Sequence, residues 1–118
     1  MKKLNRFKVI AFTHKNLPLD DLGKLHIEAT QLKERLAALK TIFRIEETMF
    51  LSTCNRVEFL ISRDEDISKE NLHKLIQVVY PSLDEPLVER LSAAAMVFSG
   101  EDALRHLFQV ASSLDSLV

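Results

Sequence analysis

Cys54 is the only cysteine of the chain, and a thiolate is the most capable nucleophile among neutral-pH side chains. Its neighbours Ser52, Thr53, Asn55 and Arg56 are polar, and it falls where two predicted strands meet a turn. Two readings of it stay open: a small buried hydrophobe, as many free cysteines are, or a reactive thiol held at a rim. Arg56 is a guanidinium two residues on; it either favours the thiolate, clamps a carboxylate through its planar fork, or stands as a surface arginine without a partner. His106 lies in a helical stretch, and at 100° per residue it falls beside Val110 at the border of an apolar stripe. Asp102 precedes it by one turn, a spacing that can orient an imidazole toward a cleft, although a histidine at a core's edge also has a purely structural reading. His14, at a strand exit, carries the same two readings; His26 and His73 read as helix-surface or boundary residues.

The elements that must position these groups follow from hydrophobic period. Residues 6–13 are short, β-branched and aromatic, and predict a strand that stops before Pro18. From Asp20 or Asp21, apolar residues at Leu22, Leu25, Ala29, Leu32, Leu36 and Leu39 predict one amphipathic helix of about five turns. Strands are predicted over 44–52 and 57–62, with Asn55 as the turn residue between them. Leu72, Leu75, Ile76 and Val79 predict a helix ending before Pro81, and Pro86 opens a second, short one. Residues 95–98 suggest a fourth strand. Ser99, Glu101 and Asp102 start the last helix, whose expected apolar stripe is Leu104, Leu107, Phe108 and Ala111. This order predicts an α+β domain, ferredoxin-like in its split βαβ topology, with a mainly antiparallel sheet and helices on one face.

Composition narrows the chemistry. The chain has 118 residues, 47% hydrophobic and 28% charged, which fits one globular domain and excludes a disordered or collagen-like polymer. Sixteen basic against seventeen acidic residues leave a net charge of −1, so no global field recruits nucleic acid or a membrane. No apolar run approaches the ~20 residues of a membrane helix, and no signal-peptide core follows the basic start, which points to the cytoplasm. One cysteine excludes a disulfide framework and a thiolate-rich zinc site, and no histidine pair has metal-ligand spacing on one helix, so no metal is expected. The two glycines, Gly23 and Gly100, make no phosphate-cradling loop. The apolar end at Leu117-Val118 lacks a helix cap and is expected to be the cut edge of a longer protein, with residues 1–118 as its N-terminal domain.

The stretch Ser52-Thr53-Cys54-Asn55-Arg56-Val57-Glu58 resembles the nucleophile motif of glutamyl-tRNA reductases, Ser-Thr-Cys-Asn-Arg-Thr-Glu. Residues 103–118 look like that family's second signature, and Thr13-His14-Lys15 matches its Asn-His-Lys more loosely. Val57 replaces the usual threonine and Ser113 the usual glycine, departures that bear on local loop geometry. The resemblance implies that Cys54 attacks the ester joining glutamate to tRNA, forming a thioester. NADPH, bound by a domain outside these residues, would reduce it to glutamate-1-semialdehyde, the first step of tetrapyrrole synthesis. It further implies substrate contacts from Thr53, Asn55, Arg56 and Ser116, with Arg56 facing a substrate carboxylate, and an activity-supporting role for His106. Implied partners are glutamyl-tRNA, a second subunit in a homodimer, and the downstream aminomutase by channelling.

Magnitudes say what such a site must do well. Lowering a thiol pKa from about 8.5 to about 7 raises the thiolate fraction roughly sixteen-fold at neutral pH. Reduced nucleophilicity takes back about fivefold, leaving a gain near threefold. Oriented attack supplies effective molarities of ~10⁵ M or more, so positioning outweighs acidity. Two other classes remain open on the residues: a non-catalytic amino-acid-binding regulatory domain of ferredoxin-like fold, and a small RNA-binding module, which the charge balance disfavours.

Overall fold

The computed structural model describes residues 5–116, with side chains as far as residue 112. Strand β1 (Phe7–Thr13) leads to a short helix α1 (Leu19–Gly23) and a longer α2 (Ala29–Phe43). A hairpin of β2 (Thr48–Ser52) and β3 (Arg56–Ser62) follows, then α3 (Lys69–Val79), α4 (Glu85–Ala94), β4 (Met96–Ser99) and α5 (Glu101–Ser116). The strands form one sheet in the order β2-β3-β1-β4, every neighbouring pair antiparallel. This is the expected ferredoxin-like strand order.

Three local features differ from the sequence reading. The single long helix is two helices. Gly23, a poor helix former, ends α1, and Leu25 and Ile27 then both bury, a two-residue spacing that no continuous helix can turn inward. The second strand begins at Thr48 rather than Arg44, because Arg44 adopts a left-handed conformation (φ 54°) that caps α2. The last helix is rotated: Ala103, Leu107 and Val110 face inward, whereas Phe108 is 71% exposed and Ala111 is exposed. The caps of α3 and α4 come from local side chains. Ser68 and Asn71 form a reciprocal capping box, and Asp84 accepts from the Leu87 amide ahead of Pro86.

The main core lies between one face of the sheet and helices α1 to α4. Ile10, Phe12, Val57, Phe59 and Ile61 enter it from the strands, and Leu25, Leu39, Ile76 and Leu91 from the helical side. The expectation of helices on one face holds for these four. Helix α5 packs on the opposite face, where Val9, Ala11 and Ala103 make a small buried cluster flanked by Leu60, Phe98 and Leu107. The period-2 alternation of β1 and β3 feeds both layers. Arg56 and Glu58, which alternation alone would leave in water, therefore lie under a helix.

Candidate active site

The turn 53–55 joins β2 to β3 and is held by three hydrogen bonds. The Thr53 amide donates to the Arg56 carbonyl at 2.9 Å, the Asn55 amide to Thr53 Oγ1 at 3.3 Å, and the His14 amide to the Asn55 carbonyl at 3.0 Å. The last bond ties the turn to the end of β1. Cys54 is exposed on this turn. It borders an open cleft of about 500 Å³ shared with Ser52 and Thr53 on one side and with Leu19, Leu22 and His26 on the other. Of the two readings of Cys54, the rim position is the observed one.

Arg56 starts β3 and His106 lies one turn into α5, and the fold brings them into one cleft. That cleft, of about 320 Å³, is also lined by Thr13, Lys15, Phe98 and Gln109. Between Arg56 and His106 sits Glu58, fully buried. One carboxylate oxygen accepts from Arg56 Nη1 at 2.8 Å, and the other lies 2.6 Å from His106 Nε2. Asp102, the expected partner of His106, instead lies 3.5 Å from Arg105 Nη1 at the helix surface. The replacement has a simple cause: the inward turn of α5 aims His106 at the sheet, away from its own helix's first turn. The His106 ring also stacks on Phe98, with centroids 4.2 Å apart and planes 13° from parallel.

Arg56 thus clamps a carboxylate, but one of its own chain. Thr53 is half-buried and Asn55 exposed on the turn. The side chain of Ser116 lies outside the described residues, as does that of Ser113. Cys54 and His106 border separate clefts near the start of β3, and no described cleft is lined by both. Four site residues escape a reading of the sequence. Glu58 stands within the nucleophile motif, and its signal is a carboxylate inside an otherwise apolar strand. Phe98 falls in the expected fourth strand with nothing beside it in sequence to mark a site. His26 reads as the surface of a continuous helix that does not exist. Thr13 is 2% exposed, and its Oγ1 has no hydrogen-bond partner among the described residues, a desolvated polar atom facing the site side of β1.

On the helical side, His73 Nε2 meets Glu85 Oε1 at 2.7 Å, with a Glu89 oxygen within 4.8 Å of both. These metal-type donors come from two helices, which is why spacing along one helix does not show them. The His73–Glu85 contact links α3 to α4.

A four-stranded antiparallel sheet with an Arg56–Glu58–His106 arrangement built on a buried carboxylate, and an exposed thiol at the same sheet end, defines an α+β domain of ferredoxin-like topology. Residues 10–118 match the family described as Glutamyl-tRNAGlu reductase, N-terminal domain, and the chain belongs to that family. Among curated relatives, it is 37% identical over 111 residues to glutamyl-tRNA reductase of Syntrophobacter fumaroxidans, covering 93% of this chain and 23% of the relative. It is 40% identical over 111 residues to that of Campylobacter lari, covering 92% and 25%. The chain therefore spans about a quarter of the length of the relatives it matches. Its fold is similar to glutamyl-tRNA reductase from Methanopyrus kandleri, with a TM-score of 0.62 and 24% identity, over 94% of this chain and 23% of that one. Among the described residues, no helix is long and apolar enough to cross a membrane.

Proposed function

We propose that this chain is the thioester-forming domain of a glutamyl-tRNA reductase, acting on glutamyl-tRNA in the cytoplasm. The observation that carries the reading is an exposed thiol on a rigidly tied turn, at the same sheet end as a guanidinium and an imidazole. Cys54 Sγ attacks the carbonyl carbon of the glutamyl ester. A C–S bond forms, the C–O bond to the ribose breaks, and the leaving alkoxide takes up a proton as free tRNA departs. A thioester carbonyl is less resonance-stabilised than an ester, so this intermediate divides one difficult reduction into two easier steps.

Thr53 and Asn55 border the attacked carbonyl, and Arg56, with Nη1 occupied by Glu58, offers its remaining N–H donors to the free carboxylate of the glutamyl group. Ser116 completes the substrate contacts. His106 polarises the carbonyl or moves the proton. Because the thiol and the imidazole border separate clefts, the glutamyl group reaches both only by lying across the start of β3. Binding energy is thereby used for orientation, the larger of the two available effects.

The residues present do not fit a nicotinamide cofactor. Gly100 is committed to the β4–α5 turn at φ 59°, its amide donating to the Phe7 carbonyl, and Gly23 lies in α1; no glycine-rich cradle exists among them. NADPH, the hydride source of the reading, is therefore assigned to another part of a longer, homodimeric protein, of which residues 1–118 form the N-terminal domain. That protein would pass its aldehyde product to the aminomutase that follows in tetrapyrrole synthesis.

The test is to mix the protein with tRNA carrying labelled glutamate and no cofactor. A hydroxylamine-sensitive adduct should form and should vanish in Cys54→Ser. Saturable glutamate binding with no adduct in the unaltered protein would overturn the reading in favour of a regulatory amino-acid-binding domain.

A further inference from the structure

A fully buried carboxylate is expensive unless every lone pair that matters is used, and Glu58 uses both its oxygens. With Arg56 donating to one oxygen at 2.8 Å, the other is left to accept from His106 Nε2 at 2.6 Å. Arginine has no acceptor and an ionised carboxylate no donor, so the proton of this second bond belongs to the imidazole. A half-turn of the ring about its bond to Cβ would set a carbon against the carboxylate and forfeit a charge-assisted hydrogen bond. The face of the ring is held as well: Phe98, on the edge strand and paired in register with Val9, stacks on it nearly parallel. His106 is only 12% exposed, and that remainder opens on the cleft it shares with Arg56 and Lys15.

We propose that Glu58 and Phe98 are positioning residues that lock His106 with Nε2–H on Glu58, so that Nδ1 is the ring nitrogen presented to the cleft. This deepens the reading of the site given above and rests on it for its catalytic consequence. A neutral ring held this way offers a lone pair at Nδ1 and takes a proton. A protonated ring offers Nδ1–H and polarises a carbonyl oxygen, with the Glu58 charge balancing the imidazolium. One clamp thereby assigns both duties to one nitrogen, and neither requires the ring to turn over between them.

The ring assignment is read without activity. Long-range ¹H–¹⁵N spectra of histidine-labelled protein, taken where His106 is neutral, should show Nε2 protonated and Nδ1 bare. Glu58→Gln presents one acceptor oxygen to two donors, and should convert that single pattern into a mixture of tautomers. Phe98→Leu should leave the tautomer in place and slow acylation of Cys54 by glutamyl-tRNA roughly tenfold or more, a part of the ~10²–10⁴ that a positioned acid–base group supplies. Its affinity for glutamyl-tRNA should be unchanged, and Phe98→Tyr, which keeps a ring to stack on, should restore the rate. An Nδ1–H tautomer in the unaltered protein, or Phe98→Leu acylating at the full rate, would overturn the proposal. If Cys54 is not acylated at all, the functional reading fails by itself, and the spectra still decide the ring assignment.

Discussion

Strand β1 meets two different interiors. To one side Ile10 and Phe12 enter a continuous core under four helices, closed by aromatic contacts such as Phe50 on Phe59 at 5.1 Å. To the other side Val9, Ala11 and Ala103 make a small buried cluster flanked by partly buried apolar side chains such as Leu60 and Leu107, and beside it lie Arg56, Glu58, His106 and a Thr13 hydroxyl with no hydrogen-bond partner among the described residues. The first layer holds the fold. The second gives up apolar contact to hold ionisable groups out of water in fixed geometry, the arrangement that preorganised electrostatics calls for. The thiol belongs to neither layer; it stands on the turn where the two meet.

This contrast can be broken or sharpened by substitution. Phe59→Ala, in the fully buried helical-side core, should destabilise the domain by about 3–5 kcal/mol in denaturant unfolding. A loss below 1 kcal/mol would mean that this layer does not carry the fold. Tyr80→Phe removes a hydroxyl that donates to the Leu25 carbonyl at 2.6 Å inside the same layer, and should cost about 1–3 kcal/mol.

The same residue should set an alkaline limit. Burial pushes the Tyr80 phenol far above its ordinary value of 10.0, so the folded state holds this proton more tightly than the unfolded chain does. Its contribution is complete below pH 10 and is lost progressively as pH rises beyond it. Alkaline unfolding should therefore flatten in Tyr80→Phe, and an unchanged alkaline limb would exclude Tyr80 as its source.

On the other face the expected sign reverses. Thr13→Val exchanges a buried hydroxyl with no hydrogen-bond partner among the described residues for a methyl of equal size, and should raise stability by about 1 kcal/mol. A fall in Tm would show that the hydroxyl is satisfied in solution. Smallest of all, Phe108→Ser on the outer surface of α5 should change stability by no more than about 0.5 kcal/mol, although it deletes the same side chain as Phe59→Ala.

Much of the fold is legible in the order of the residues. Hydrophobic period and turn chemistry give the elements, their succession gives the split βαβ topology, and the caps of α3 and α4 are local: Ser68 with Asn71, and Asp84 with Leu87. Where pattern and fold part, a tertiary demand overrides the local period. Leu22 and Leu25 keep helical spacing, but the chain breaks after Gly23 because Leu25 and Ile27 must both reach the core. Leu104 and Phe108 keep the apolar period of α5, yet the helix turns Ala103 and Val110 inward, because small side chains let it approach the sheet.

The site divides in the same way. By itself, the sequence determined which atoms are available: one thiol in a polar tetrapeptide at a turn, and a guanidinium two residues later. These depend on neighbours along the chain, which local propensity governs. Only tertiary structure decided that His106 answers to Glu58, forty-eight residues away, rather than to Asp102 on its own helix. Partners across a sheet and a helix are chosen by strand register and helix rotation. Both are set by burial summed over the whole domain, and no short window of sequence contains that sum.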